Sequence, residues 1–144
     1  MLVAYDGSAP ARRALAHAAE FARPGDSLTV VNVMSEPGVG ARIEPPTKER
    51  SRQRQLLDEA QRFMAERGIE AQTSAPVGDA AGEVLAAAEQ IGADVIVVAR
   101  HRGRAPHSHR SVSGRIVRAA SCDVLVVHAA DAEPGPDVGT THAR

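Results

Sequence analysis

Four short runs are apolar almost from end to end: LVAY (Leu2–Tyr5), LTVVNVM (Leu28–Met34), ADVIVVA (Ala93–Ala99) and CDVLVVHA (Cys122–Ala129). Each is shorter than an ordinary buried helix and rich in valine, the profile of a strand. A strand with one wet face alternates apolar and polar residues. A strand apolar on both faces must be covered on both, which is the situation of a parallel sheet between two helical layers. A fifth run, IEAQTSAPV (Ile69–Val77), alternates weakly and predicts a more exposed strand.

Helical spacing fills the intervals. Ser8 is placed to cap a helix with Pro10 in its first turn, and Ala11, Leu15, Ala18, Ala19 and Ala22 recur on one face. Pro24–Asp26 stops it. Leu56, Leu57, Ala60, Phe63 and Met64 form the stripe of a second helix that begins near Thr47 and ends near Gly68. Asp79 caps a third, through Val84, Leu85, Ala88 and Ile91 to Gly92. Ser111 or Ser113 opens a short fourth helix containing Ile116 and Val117. Strands thus alternate with helices, the pattern of an open α/β sheet with right-handed crossovers.

The chain has 144 residues and is 43% hydrophobic, enough for one domain with a core of Val, Leu, Ile and Ala, since aromatics are only 2%. Residues 1–130 are expected to form that domain. Asp131–Arg144 (DAEPGPDVGTTHAR) has almost nothing to bury and reads as a disordered tail. Cys122 is the single cysteine, which rules out an internal disulfide and favours a reducing compartment. Beside apolar residues, its thiol is expected to be buried. The opening MLVAYDGS turns polar too soon for a signal peptide, and no run is long enough for a membrane span. A cytoplasmic protein is expected.

In an open α/β sheet, ligands lie beyond the carboxyl ends of the strands, where the strand order reverses. That places a site among the turn Asp6–Ser8, the end of the second strand at Val33, and the loop Ala99–Ser111. The loop is basic. No acid lies between Asp94 and Asp123, an interval that holds Arg100, Arg102, Arg104, Arg110, Arg115 and Arg118. Net charge is nevertheless -1, and no aromatics interleave the arginines, so nucleic acid is not the expected partner. His101, His107 and His109 do not predict a metal, because the neighbouring arginines would repel a cation and no acid is close in sequence. No spacing suggests a catalytic triad or a carboxylate pair.

LVAYDGS, GDAAGEVLAAAEQIGADVIVVA and SVSGRIVRAASCDVLVV, in that order, resemble the universal stress protein family over about the first 130 residues. The resemblance implies a five-stranded parallel sandwich of strand order 3-2-1-4-5, similar to the adenine-nucleotide α-hydrolase fold. It also implies a role in stress survival and often a homodimer formed around the last strand, where Val124 and Val126 lie; beyond the family's occasional weak nucleotide hydrolysis, no enzyme is expected. One branch of the family binds ATP through Gly, two residues, Gly, nine residues, Gly and then Ser or Thr. Aligned on that motif, Ala99, Arg102 and Arg110 stand where the glycines belong. Ser111 and Val112 match, and the last gap holds seven residues instead of nine. The resemblance also sets Asp6 beside a ribose and the backbone of Val33 beside an adenine.

Glycines in such loops adopt positive φ and bring backbone N–H groups close to phosphate oxygens. Arginine at positive φ costs about 1 kcal/mol or more, and its Cβ crowds the ligand. Two or three such changes weaken binding by a factor on the order of tens to thousands. Pro106 removes a further donor. Arginine forks and a free helix start at Ser111 act in the other direction. The expectation is therefore no tightly held cofactor, with ATP or AMP binding weakened. Asp6 fits a turn as well as a ribose contact, and Ser111 fits a helix cap as well as a phosphate contact.

Overall fold

The computed structural model describes residues 1–36, 47–101 and 111–128. Arg102, Gly103, Arg104, Pro106, His107, His109, Arg110 and the expected tail lie outside the described residues. The elements run β1 (Leu2–Ala4), α1 (Ala9–Phe21), β2 (Leu28–Val31), α2 (Thr47–Ala65), β3 (Ala71–Ser74), α3 (Ala80–Ile91), β4 (Val95–Arg100), α4 (Val112–Ala119) and β5 (Asp123–His128). All strand pairs are parallel, and the sheet order is β3-β2-β1-β4-β5, as expected.

Alternate side chains of each strand enter two separate cores. Val3, Leu28, Val30 and Val97 point to the α1/α2 face, where they meet Ala14, Leu15, Ala18, Leu57, Ala60 and Met64. Leu2, Val31, Ile96 and Val98 point to the other face, against Ala81, Val84, Ala88 and Ile116 of α3 and α4. This is why the runs show no polar alternation: both faces of the sheet are dry. Small alanines on α1 and α3 let these helices lie close to the sheet.

The caps follow local chemistry. Ser8 Oγ accepts from the Ala11 N–H, Asp79 Oδ2 from the Gly82 N–H and Ser111 Oγ from the Gly114 N–H. Ser111 is thus the cap of α4, and Ser113, the alternative, is buried inside the helix. Gly92 closes α3 in the left-handed conformation.

Three expectations change. β2 stops at Val31, before Met34, which forms a separate bridge to Val77. β3 is limited to Ala71–Ser74. Cys122 lies just ahead of β5 and is half-buried instead of enclosed, because it sits at the bottom edge of the α3/α4 core. Among the described residues no helix is long and apolar enough to cross a membrane.

Candidate ligand cleft at the switch point

The strand order reverses between β1 and β4, which pair side by side. Their carboxyl ends open into a cleft of about 240 Å³. Ala4, Val31, Val84 and Val98 give it an apolar floor, and Asp6, Arg100, His101 and Ser111 supply polar walls. The structure brings five of the sequence-selected residues, Asp6, Val33, Ala99, Ser111 and Val112, onto this one cleft. Arg102 and Arg110 lie outside the described residues.

Asp6 is fixed by its own turn. Its Oδ1 accepts the Ser8 N–H at 2.9 Å, and Gly7 between them has φ +79°. The turn role read from the sequence is therefore real. The other carboxylate oxygen, Oδ2, lies 3.2 Å from His101 Nε2 at the end of β4.

Ala99 changes the argument about its missing glycine. It is the fifth residue of β4, in extended backbone, and no non-glycine among the described residues has positive φ. Alanine is not strained there. Ala99 is buried in the α1/α2-face core and also borders the cleft.

Ser111 holds α4 so that Val112 and Ser113, in the first turn, border the cleft. N–H groups of a first helical turn have no partner within the helix, and they carry the positive end of its dipole. This end of the cleft suits an anion, and Arg100 adds a positive charge to the same rim.

Behind the cleft is a polar brace that sequence reasoning missed. Asn32 Nδ2 donates to the Tyr5 carbonyl at 2.8 Å, and Gln53 Nε2 of α2 donates to the Asn32 carbonyl at 2.7 Å. Both side chains are buried. Asn32 was the one readable sign, an amide inside an apolar run. The Tyr5 hydroxyl turns away toward α2, 3.3 Å from Glu59 Oε1, which also receives Arg12. Burial pushes the Tyr5 phenol up from its ordinary value.

Arg115 on α4 and Asp79 at the start of α3 form a bidentate pair, with both N–O distances 2.7 Å. The guanidinium, helped by the Gly82 N–H, holds the Asp79 carboxyl down to about 2. The pair ties together the two helices that wall one side of the cleft. Among the described residues there is no cluster of metal-ligating side chains.

The comparisons match this geometry. The model of the universal stress protein family matches residues 1–128. A solved structure of that family from Burkholderia pseudomallei is 32% identical, with a TM-score of 0.69 over 89% of this chain and 94% of that one. The Archaeoglobus fulgidus universal stress protein in complex with dAMP is 25% identical, with a TM-score of 0.69 over 88% and 94% of the two chains. A universal stress protein in complex with cAMP is 22% identical and shares the fold, with a TM-score of 0.71 over 89% and 97%. No curated protein matches the chain. With the family match spanning every described residue and its strand order reproduced, this chain belongs to the universal stress protein family.

Proposed function

We propose that this protein acts in the stress response without catalysis, as a cytoplasmic homodimer of the 1–130 domain that contacts other proteins, and that it does not hold MgATP tightly. The observation that carries the reading is the cleft itself. It stands at the switch point with an intact helix start at Ser111, yet Ala99, in extended strand, stands at its first glycine position. Arginines at 102 and 110 stand where two more backbone-exposing glycines would be. Catalysis needs a positioned acid and base around a substrate. Here Asp6 Oδ1 takes the Ser8 N–H and Ser111 Oγ takes the Gly114 N–H, so both side chains have structural tasks. Calorimetric titration with MgATP is expected to give no micromolar binding; a micromolar Kd would overturn the reading.

A second reading keeps the cleft in use for a smaller nucleotide. The apolar floor, a single carboxylate among the described lining residues and an anion-favouring helix start suit a nucleoside monophosphate better than a triphosphate. The relative solved with dAMP supports this. Asp6, Val33, Ala99, Ser111 and Val112 would line the site, with Arg102 and Arg110 as side-chain replacements for the glycines' donors. Binding should then weaken as salt rises.

The dimer reading rests on β5. It is an edge strand, and Val124, Leu125 and Val126 are only half-buried. An apolar edge with unpaired backbone groups calls for a partner. Val126→Lys is expected to give monomers in sedimentation equilibrium; an unchanged dimer mass would place the interface elsewhere.

A further inference from the structure

His101 is a residue that the reading above leaves without a task. It closes β4's end of the cleft, and its Nε2 sits 3.2 Å from Asp6 Oδ2. Asp6 is the one carboxylate among the described residues lining the cleft, and so the strongest acceptor there for a ligand hydroxyl. Its Oδ1 already takes the Ser8 N–H, so the turn alone orients the carboxylate. The imidazole is not needed to aim Asp6. It stands 3.2 Å from the oxygen that a ligand would use and lines the same cleft, so a group reaching for that oxygen meets the imidazole.

We infer that His101 sets the sugar preference of the cleft by competing with ligand hydroxyls for Asp6 Oδ2. This rests on the reading that a nucleoside monophosphate enters the cleft. With His101 present, a ribose must move the imidazole aside to reach Oδ2, so its hydroxyls gain little over a sugar that lacks them. The cleft then treats ribo- and deoxy-nucleotides nearly alike. Without His101, the carboxylate is open on its cleft side and hydroxyls bind at full strength. His101 acts through Asp6 and is a positioning residue for the ligand.

The test is NMR titration with AMP and with 2′,3′-dideoxy-AMP, which reads weak binding. Both side chains are about half exposed, 46% for His101 and 56% for Asp6, so the substitutions leave the core intact. His101→Ala should tighten AMP about fivefold or more, the scale of one hydrogen bond to a charged acceptor, and leave dideoxy-AMP unchanged. His101→Gln, whose amide N–H reaches about as far as Nε2, should behave as wild type. In an Asp6→Ala background, His101→Ala should change neither ligand. Equal effects on both nucleotides, or an effect that persists without Asp6, would overturn the inference alone. Binding of neither nucleotide to any variant would overturn the nucleotide reading beneath it, and the inference with it.

Discussion

Ile116→Ala is expected to lower the unfolding free energy by about 3 kcal/mol, on the order of a hundredfold in the folded ratio. The reason is the shortness of α4. Eight residues form a helix that would be marginal alone, so its stability must come from docking. Only Ser113 and Ile116 of α4 are buried, and Ile116 is fully so, at 0% exposure. It fills the core between Leu2, Val31, Ile96, Val98 and the α3 residues Ala81, Val84 and Ala88. Removing three carbons there leaves a cavity bounded by the sheet, which is too rigid to collapse onto it. The neighbouring Val117 is 52% exposed, so Val117→Ala should stay within about 0.5 kcal/mol of wild type. Urea unfolding of the two variants measures this. Similar midpoints for both would show that α4 is not anchored by Ile116. Hydrogen exchange adds a link to function. The start of α4 borders the cleft, so amides at 112–119 should exchange faster in Ile116→Ala than those of α1.

The same pair of residues shows what the sequence could and could not reveal. Ile116 and Val117 are both apolar and adjacent, but neighbours on a helix point about 100° apart, and only one can face the sheet. Which one depends on the position of β4 and β5, information that a local window lacks. The caps were legible because each is a contact within three residues: Ser8 to Ala11, Asp79 to Gly82, Ser111 to Gly114. The strands were legible because a sheet buried on both faces leaves long apolar runs. Their ends were not. β2 stops where Asn32 turns its amide to the Tyr5 carbonyl and hands its own carbonyl to Gln53, partners at distances of 27 and 21 residues. The cleft's place followed from topology alone. Its electrostatics did not, since Arg115 and Asp79 are 36 residues apart, and Asp6 meets His101 only because β1 and β4 are sheet neighbours. The missing glycine at Ala99 shows a subtler limit. A motif position suggests positive φ, but the backbone there is strand, so alanine sits at it without strain.

Strain does govern Gly7, where Gly7→Ala is expected to cost about 2 kcal/mol, mostly the price of a left-handed backbone for an L-residue. Gly7 holds φ +79° between Asp6 and Ser8. That conformation lets Asp6 Oδ1 accept the Ser8 N–H while Ser8 Oγ caps α1, so one residue serves a turn, a cap and the cleft wall. A Cβ at this position would also run into Leu56 Cδ2 of α2. Leu56 is half-buried and its methyl groups lie at the end of a side chain that can rotate, so the collision should be the smaller part of the cost. The two parts are separable. In a Leu56→Ala background the collision is gone and only the backbone strain remains, so Gly7→Ala should still cost about 1–2 kcal/mol there. Urea midpoints at constant m-value give each difference. If Leu56→Ala abolished the effect of Gly7→Ala altogether, crowding against α2 and not the φ angle would be what requires glycine. If strain dominates, the turn carrying Asp6 should relax toward negative φ in Gly7→Ala. Asp6 would then lose its bond to Ser8, and the cleft would lose the acceptor that the turn holds in place.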